Sequence, residues 1–435
     1  MDPIITGLLG LVAMFALIAW QVPVGIAMGT VGVVGCALII GWGPALSLVG
    51  TEPSSAISSP GLAVIAMFLL MGSVAHTGGL SGELYRLAYA FIGHRRGGLA
   101  MATIGACAGF GAVCGSSVAT AATMANVALP EMISRNYSKE LAAGTIAAGG
   151  TLGMIIPPSV LMILYGILTE NSIIALFLAG VVPGLIAVVG YVGAVAAYTR
   201  IFPDAAPLGP RVSWQERRRT LASSWAVILL AAAVSGGIYS GVFTVAEAAS
   251  VGAVFAFAIS LVRRRLTKTA MLKCFSETAT NTGLIFVILI GASVFSYFAT
   301  LSGLPGATVA WIQSLNLPDY VVILMLELMY LFLGSIFDTV AAMVLTLPFV
   351  YPLVTDMGFD PIWWGVINIV VMEIGMITPP IGVNVFVLHG VAKDLPLNVI
   401  FRGIVPFLIA DILRLLLLTF VPQLSTWLPR AAGWM

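Results

Sequence analysis

Two adjacent prolines, placed twice inside long apolar runs, constrain this chain more than any other feature. The stretch GMIIPPS, Gly153–Ser159, returns as GMITPPI, Gly375–Ile381, at an offset of 222 (375 − 153 = 222). A residue before proline is pushed out of the α region, so Ile156 and Thr378 are expected to end one helical piece. The missing proline N–H is harmless in a first helical turn, so the next pieces are expected to open on Pro157-Pro158 and Pro379-Pro380. Each copy therefore predicts two short half-helices meeting end to end. Inside a bilayer such backbone survives only where protein or a water-filled cavity covers it.

A bilayer is the setting the composition demands. The chain has 435 residues, 60% hydrophobic and only 9% charged, with a mean hydropathy of +1.08, against roughly 25% charged residues in soluble domains. The reading is an all-α polytopic membrane protein, its surface in contact with lipid, and a soluble enzyme is excluded. A net charge of +1 spread between apolar runs offers no nucleic-acid surface. Cys36, Cys107, Cys114 and Cys274 lie in or beside apolar segments without metal spacing and are expected to be small packing residues. The N-terminus lacks a basic leader region, so Ile4–Trp20 is expected as a retained first span.

The nineteen Lys and Arg residues orient the spans. None precedes Arg86, and the clusters at Arg86–Arg96, Arg135 with Lys139, Arg200–Arg219, Arg263–Lys273 and Lys393 with Arg402 are assigned to the cytoplasmic side. Between Cys274 and Ala392 there is neither Lys nor Arg, so those loops are expected outside. The first half then reads as spans near 4–22, 24–45 and 61–80, and an amphipathic interfacial helix over 81–97. A re-entrant hairpin over 99–133 turns near Gly115-Ser116-Ser117. A broken span follows over 141–169, and a return over 175–199. Residues 200–220 connect the halves. Spans near 222–241, 245–262 and 279–300, a hairpin over 320–354, a broken span over 362–391 and an exit over 403–421 repeat the plan. Five crossings per half predict inverted topology with both termini outside. The domain division is scaffold 1–98, transport elements 99–200, linker 201–221, scaffold 222–318, transport elements 319–421 and tail 422–435.

Other letters repeat too. GSSVATAA from Gly115 matches GSIFDTVA from Gly334 as GSxxxTxA, Pro130 is paired with Pro348, and Val182-Pro183 with Val405-Pro406. Interrupted apolar segments at matching positions of two halves mark the binding region of a secondary transporter.

At each break the upstream half-helix leaves carbonyls without partners and the downstream one presents free N–H groups. Cations suit the first and anions the second. Pro157, Pro158, Ser159, Pro379 and Pro380 are thus candidate solute contacts together with Thr378, read also as an N-cap. Gly153 and Gly375 are expected to let the backbone leave the helix. The tips Gly115–Thr120 and Gly334–Thr339 are small and hydroxyl-rich. Their carbonyls and the oxygens of Ser116, Ser117, Thr120, Ser335 and Thr339 suit a hard cation such as sodium. Gly115, Gly153, Gly334, Gly375 and Thr378 join that candidate set, and Ser116 and Ser117 are also candidate solute contacts. Close helix packing through small residues accounts for the same letters. Asn384 is the leading solute contact of the second half, with an interhelical hydrogen bond as the competing reading. Carboxylates inside apolar runs are costly, roughly 2.5–3.5 kcal/mol on insertion scales, which singles out Asp338, Glu327 and Glu373, the last equally readable as an interdomain polar contact. Asp338 joins the cation candidates. Asp411 and Arg414, three apart, are expected to pair, and His76 and His389 have no metal-ligating neighbours in sequence.

The strings GSSVATAATMANVALPEM, GGTLGMIIPPS, GSIFDTVAAMVLTLPFVYP and EIGMITPPIGVNVFV resemble those of the large membrane subunit of tripartite ATP-independent periplasmic (TRAP) transporters, over essentially the whole chain. The resemblance implies a sodium-driven elevator in a bacterial inner membrane. It implies a separate small membrane subunit and a periplasmic binding protein that delivers an organic acid such as a dicarboxylate or sialic acid. It places the ion sites at 115–120 with 153–158 and at 334–339 with 375–380. A stand-alone sodium and anion symporter of related architecture, and a polytopic membrane enzyme, are the alternatives. The first would copurify without a small membrane protein, and the second would show turnover in detergent.

Overall fold

The computed structural model describes residues 2–435, and among them there is no β-strand, only one isolated bridge between Arg96 and Leu208. The first half runs α1 (Pro3–Ala19), α2 (Val24–Ile40), α3 (Trp42–Ser58), α4 (Pro60–Thr77), α5 (Leu80–Ile92), α6 (Gly98–Cys114), α7 (Ser117–Val127), α8 (Leu129–Ser134), α9 (Lys139–Ile155), α10 (Val160–Leu168) and α11 (Ile173–Ile201). After a 3-10 turn at Pro203–Ala205, the second runs α12 (Trp214–Ser223), α13 (Trp225–Tyr239), α14 (Val245–Val262), α15 (Lys268–Leu301), α16 (Leu304–Ser314), α17 (Asp319–Ile336), α18 (Thr339–Asp356), α19 (Pro361–Gly375), α20 (Val383–Val391), α21 (Leu397–Phe420) and α22 (Gln423–Ala431). Seven of these helices, counting α9 with α10 as one, are long and apolar enough to cross a membrane, or up to nine if each bent pair is one span.

The 222-residue offset of the prolines governs the helix boundaries as well. The starts of α1 and α13, the ends of α6 and α17, the ends of α8 and α18 and the starts of α9 and α19 are each 222 apart (225 − 3, 336 − 114, 356 − 134, 361 − 139). This corrects the letter matching. The hairpin caps are Ser116 and Asp338, so Ser117 corresponds to Thr339, and Pro130 to Pro352 rather than Pro348. Gly334 and Ser335 lie in the last turn of α17, three residues out of register with Gly115 and Ser116. Small and hydroxyl letters recur at several offsets near a tip, whereas the residue that caps a helix is set by where its backbone turns.

Four helices lie outside the sequence reading, one of them α12, which takes up Trp214–Ser223 of the expected linker. Segment 42–58 forms α3, and in the second half its counterpart is the first part of the 34-residue α15. Pro60 divides α3 from α4, after Ser59 in an extended conformation (ψ 117°). Residues 304–314 form α16 after the left-handed Gly303 (φ +68°), as α5 follows the left-handed Gly79 (φ +77°). The expected tail carries α22, which packs on α11 and pairs Arg430 with Asp360 at 3.2 Å.

Packing repeats between the halves. α2 lies on α15 and α4 on α14, the same contact seen from each half. α9 is held by both hairpin arms, α6 and α7, and by α21. It is rich in Gly and Ala and buried from Leu141 through Ile155, which lets three helices approach it closely. α19, with Trp363 and Trp364 fully buried, occupies the corresponding place.

Candidate functional site

In both halves the break falls where the prolines place it, but its geometry differs from the sequence reading. α9 ends at Ile155 with Ile156 extended (ψ 118°), as expected. α10 opens at Val160, with Ser159 as its cap accepting from Met162 N at 3.4 Å. Pro157 and Pro158, joined by a cis peptide, are the link and not the first turn. In the second half α19 ends at Gly375 and α20 opens at Val383 behind the left-handed Gly382 (φ +65°). Pro379-Pro380, also cis, again form the link. Thr378 is not an N-cap: its hydroxyl donates to the Ile374 carbonyl at 2.6 Å, closing the end of α19. Because proline has no N–H, Gly153 and Met154 in α9 have no helical donor four residues on.

Gly153 and Gly375 serve close approach rather than an unusual backbone angle. A Cβ on Gly153 would lie 2.8 Å from the Ser116 carbonyl oxygen and 2.9 Å from Thr120 Oγ1. One on Gly375 would lie 2.6 Å from the Gly334 carbonyl carbon. Each hairpin tip therefore rests directly on the helix end beside it. The tips are tied to the following half-helices as well, Val160 N donating to Gly115 O at 3.4 Å and Gly382 N to Ser335 O at 3.2 Å. Gly115 needs its left-handed conformation (φ +64°), which turns α6 into Ser116 within two residues.

Thr120 is buried and donates to Ser116 O at 2.7 Å, and Ser116 Oγ accepts from Ala119 N at 3.4 Å. Ser335 donates to Phe332 O at 2.8 Å. Asp338, an exposed residue, caps α18 by accepting from Val340 N at 3.0 Å and Ala341 N at 3.3 Å. The two breaks differ in access. Pro157, Pro158 and Ser159 are buried, whereas Pro379, Pro380 and Ile381 are exposed.

Around the two tips four helix C-termini (α6, α9, α17, α19) and four N-termini (α7, α10, α18, α20) converge. Each end carries about half a charge, so the tips offer places for cations and for an anion without any charged base. Neither Lys nor Arg occurs over residues 97–134, 140–199 or 274–392.

Asn384 joins the halves. Its Nδ2 donates to Ser117 Oγ at 2.7 Å and to Ala147 O at 3.2 Å, and the side chain is fully buried. The interhelical reading holds for this amide nitrogen. Ser117 is its partner, which no spacing in the sequence signals. Glu327 accepts from Thr419 at 2.6 Å across α17 and α21 and lies away from the tips. Asp411 and Arg414 pair at 3.0 Å as expected, and Arg414 also holds Glu373 at 2.9 Å. His76 meets Thr123 of the hairpin at 3.0 Å, and His389 meets the Leu395 carbonyl. All four cysteines are free and buried, and no cluster of three metal-ligating His, Cys, Asp or Glu occurs among the described residues.

This arrangement of hairpins and interrupted helices is shared with a solved protein, the YdaH transporter of Alcanivorax borkumensis. The match has a TM-score of 0.64 and covers 100% of this chain and 99% of that one, at 15% identity. The fold is thus that of a polytopic α-helical membrane protein with the architecture of that transporter. The chain belongs to the DctM component family of tripartite ATP-independent periplasmic transporters, whose family model matches residues 11–424. The chain is 36% identical over 373 residues to a Pseudomonas aeruginosa C4-dicarboxylate TRAP transporter large permease protein, covering 86% of this chain and 87% of that protein. It is 31% identical over 422 residues to an Oleidesulfovibrio alaskensis isethionate TRAP transporter permease protein, DctMQ, covering 96% of this chain and 65% of that protein.

Proposed function

We propose that this large permease imports an organic anion with sodium, carrying the solute between the two hairpin tips and the two broken helices. The observation that supports it is the convergence of eight helix ends in a region without Lys or Arg. Arg414, buried in α21, is already held by Asp411 and Glu373. A carboxylate or sulfonate, the groups of the solutes for which the two relatives are named, then has two sources of positive charge. One is the set of half-helix N-termini, and the other is sodium held by carbonyl and hydroxyl oxygens at the C-terminal ends. A site filled by the anion alone is poorly neutralised, so anion and sodium enter together. Hairpins and broken helices move as one body against the α2–α15 and α4–α14 layer.

Uptake into proteoliposomes containing the chain, a small membrane subunit and a periplasmic binding protein will rise steeply with external sodium. Thr339→Ala will raise the sodium needed for half-maximal uptake about three- to tenfold, the scale of one contact worth roughly 1 kcal/mol. Thr308→Ala, whose hydroxyl bonds only its own helix at Leu304 O, will leave it unchanged. Full uptake in potassium or under a proton gradient alone, without sodium, refutes the coupling. Purification without an accompanying small membrane protein refutes the tripartite assembly and favours a stand-alone symporter.

The cationic clusters support an orientation with both termini in the periplasm. Cysteines introduced at Asp2 and Gly433 will both react with an impermeant thiol reagent in intact cells, against a low background because the native thiols are buried. Protection of either position contradicts the inverted repeat.

A further inference from the structure

Five side chains to which the transport reading assigns no task lie in one buried line of hydrogen bonds and ion contacts. Thr151 Oγ1 lies 3.1 Å from Tyr191 Oη and 2.8 Å from the Ala148 carbonyl, so its one proton is shared between them, and the Tyr191 hydroxyl donates to Asp411 Oδ2 at 2.6 Å. Asp411 Oδ1 contacts Arg414 Nη2 at 3.0 Å, and the same nitrogen donates to Glu373 Oε2 at 2.9 Å. All five are 3% exposed or less. The chain runs from α9 through α11 and α21 to α19, so it begins on one broken helix and ends on the other.

Its members occupy matching places in the two halves. Thr151 and Glu373 are 222 apart (373 − 151), each two residues before the glycine that receives its hairpin tip. Tyr191 and Arg414 are 223 apart (414 − 191), the offset that also relates Pro183 to Pro406. The chain thus crosses from one repeat to the other. Glu373 Oε1 and Arg414 Nε and Nη1 have no hydrogen-bond partner. Spare donors and acceptors within one buried network allow its ion contacts to be exchanged without leaving the protein, which is what an element with two discrete arrangements requires.

We infer that this chain of hydrogen bonds and ion contacts is a positioning device that couples the two broken helices, so that cation binding at one break sets the geometry of the other. The inference rests on the sodium reading above. A link one turn behind both breaks, with two discrete arrangements, makes the two fill interdependently. Tyr191 is the positioning residue on which the link depends, because its hydroxyl alone joins the Thr151 side to the Asp411 side.

The test is a sodium titration of the purified full chain in detergent, with choline replacing sodium at constant ionic strength. The signal is tryptophan fluorescence, for which Trp363 and Trp364 lie in α19. The unmodified chain is expected to titrate with a Hill coefficient above about 1.5. Tyr191→Phe is expected to bring it to about 1 without removing the response. Thr151→Val, which trades one hydroxyl for a methyl, is expected to do the same and carries the test if Tyr191→Phe does not yield monodisperse protein. Glu373→Gln keeps an acceptor for Arg414 and is expected to retain the steep titration. A Hill coefficient of 1 in the unmodified chain, or one unchanged by Tyr191→Phe or Thr151→Val, overturns the inference while leaving sodium binding intact. So does loss of steepness in Glu373→Gln alone, which would assign the effect to charge. An unmodified chain that does not respond to sodium at all refutes the sodium reading itself.

Discussion

Gly144→Ala and Gly403→Ala will each leave little or no folded protein in the membrane. A Cβ on Gly144 would fall 2.0 Å from the carbonyl oxygen of Gly403, and one on Gly403 would fall 1.9 Å from the carbonyl oxygen of Glu140. Both obstacles are backbone atoms of buried helices, so no side chain can turn away to make room. Relief requires α9 and α21 to separate, although α9 is held on its other sides by α6 and α7. Overpacking a core that can adjust is destabilising by roughly 1–3 kcal/mol. Here the strain falls between two rigid backbones and exceeds that range, enough to remove most of the margin of a protein stable by about 5–15 kcal/mol. Gly43→Ala is the control, since nothing lies within 4 Å of its added carbon. Size-exclusion profiles of fluorescent fusions extracted from membranes will report the difference. A normal, monodisperse peak for Gly144→Ala would show that α9 and α21 do not cross at this point.

Asn384→Asp will abolish most transport while the protein still reaches the membrane. The substitution keeps the size of the side chain and removes both donors. The bond to Ala147 O is therefore lost and a buried carboxyl group is set against that carbonyl, while the Ser117 hydroxyl has to turn from acceptor to donor. These bonds fasten the second half-helix of one repeat to the hairpin of the other. One lost hydrogen bond of roughly 1 kcal/mol, with a penalty of about 1–2 kcal/mol for a buried carboxyl facing the orphaned Ala147 carbonyl, predicts a fall in uptake of about 30- to 150-fold. Ser117→Ala removes one of the two contacts and is expected to fall by about tenfold or less. Uptake rates normalised to the amount of protein in the membrane distinguish these cases. Asn384→Asp transporting within about twofold of the unmodified chain would show that the amide does not hold the site together.

The parts legible in advance were those that local chemistry decides. Proline cannot continue a helix, so the duplicated Pro-Pro stretches marked both breaks, and α9 does end at Ile155. The uninterrupted apolar letters between charged clusters marked the spans, because a bilayer excludes unpaired polar backbone. The turn at Gly115-Ser116 was visible because a left-handed glycine before a capping serine is a local requirement. Less legible were the helices α3, α12, α16 and α22. α3 follows α2 too closely to be separated from it by run length, and α16 and α22, of eleven and nine residues, are too short to read as spans.

What the sequence determined by itself, then, was an α-helical membrane protein made of two related halves, each interrupted at one prescribed place. Proline, glycine and apolar run length act on the nearest few residues, so no partner need be known. Only the tertiary structure decided the register of the hairpins, the burial of Pro157-Pro158 against the exposure of Pro379-Pro380, and the meeting of Asn384 with Ser117. It also gathered Thr151, Tyr191, Glu373, Asp411 and Arg414 into one line. These residues are up to 267 positions apart, and which of them meet depends on how whole helices cross. That crossing is set by where glycine lets two backbones touch, a property of pairs of helices that neither helix carries in its own letters.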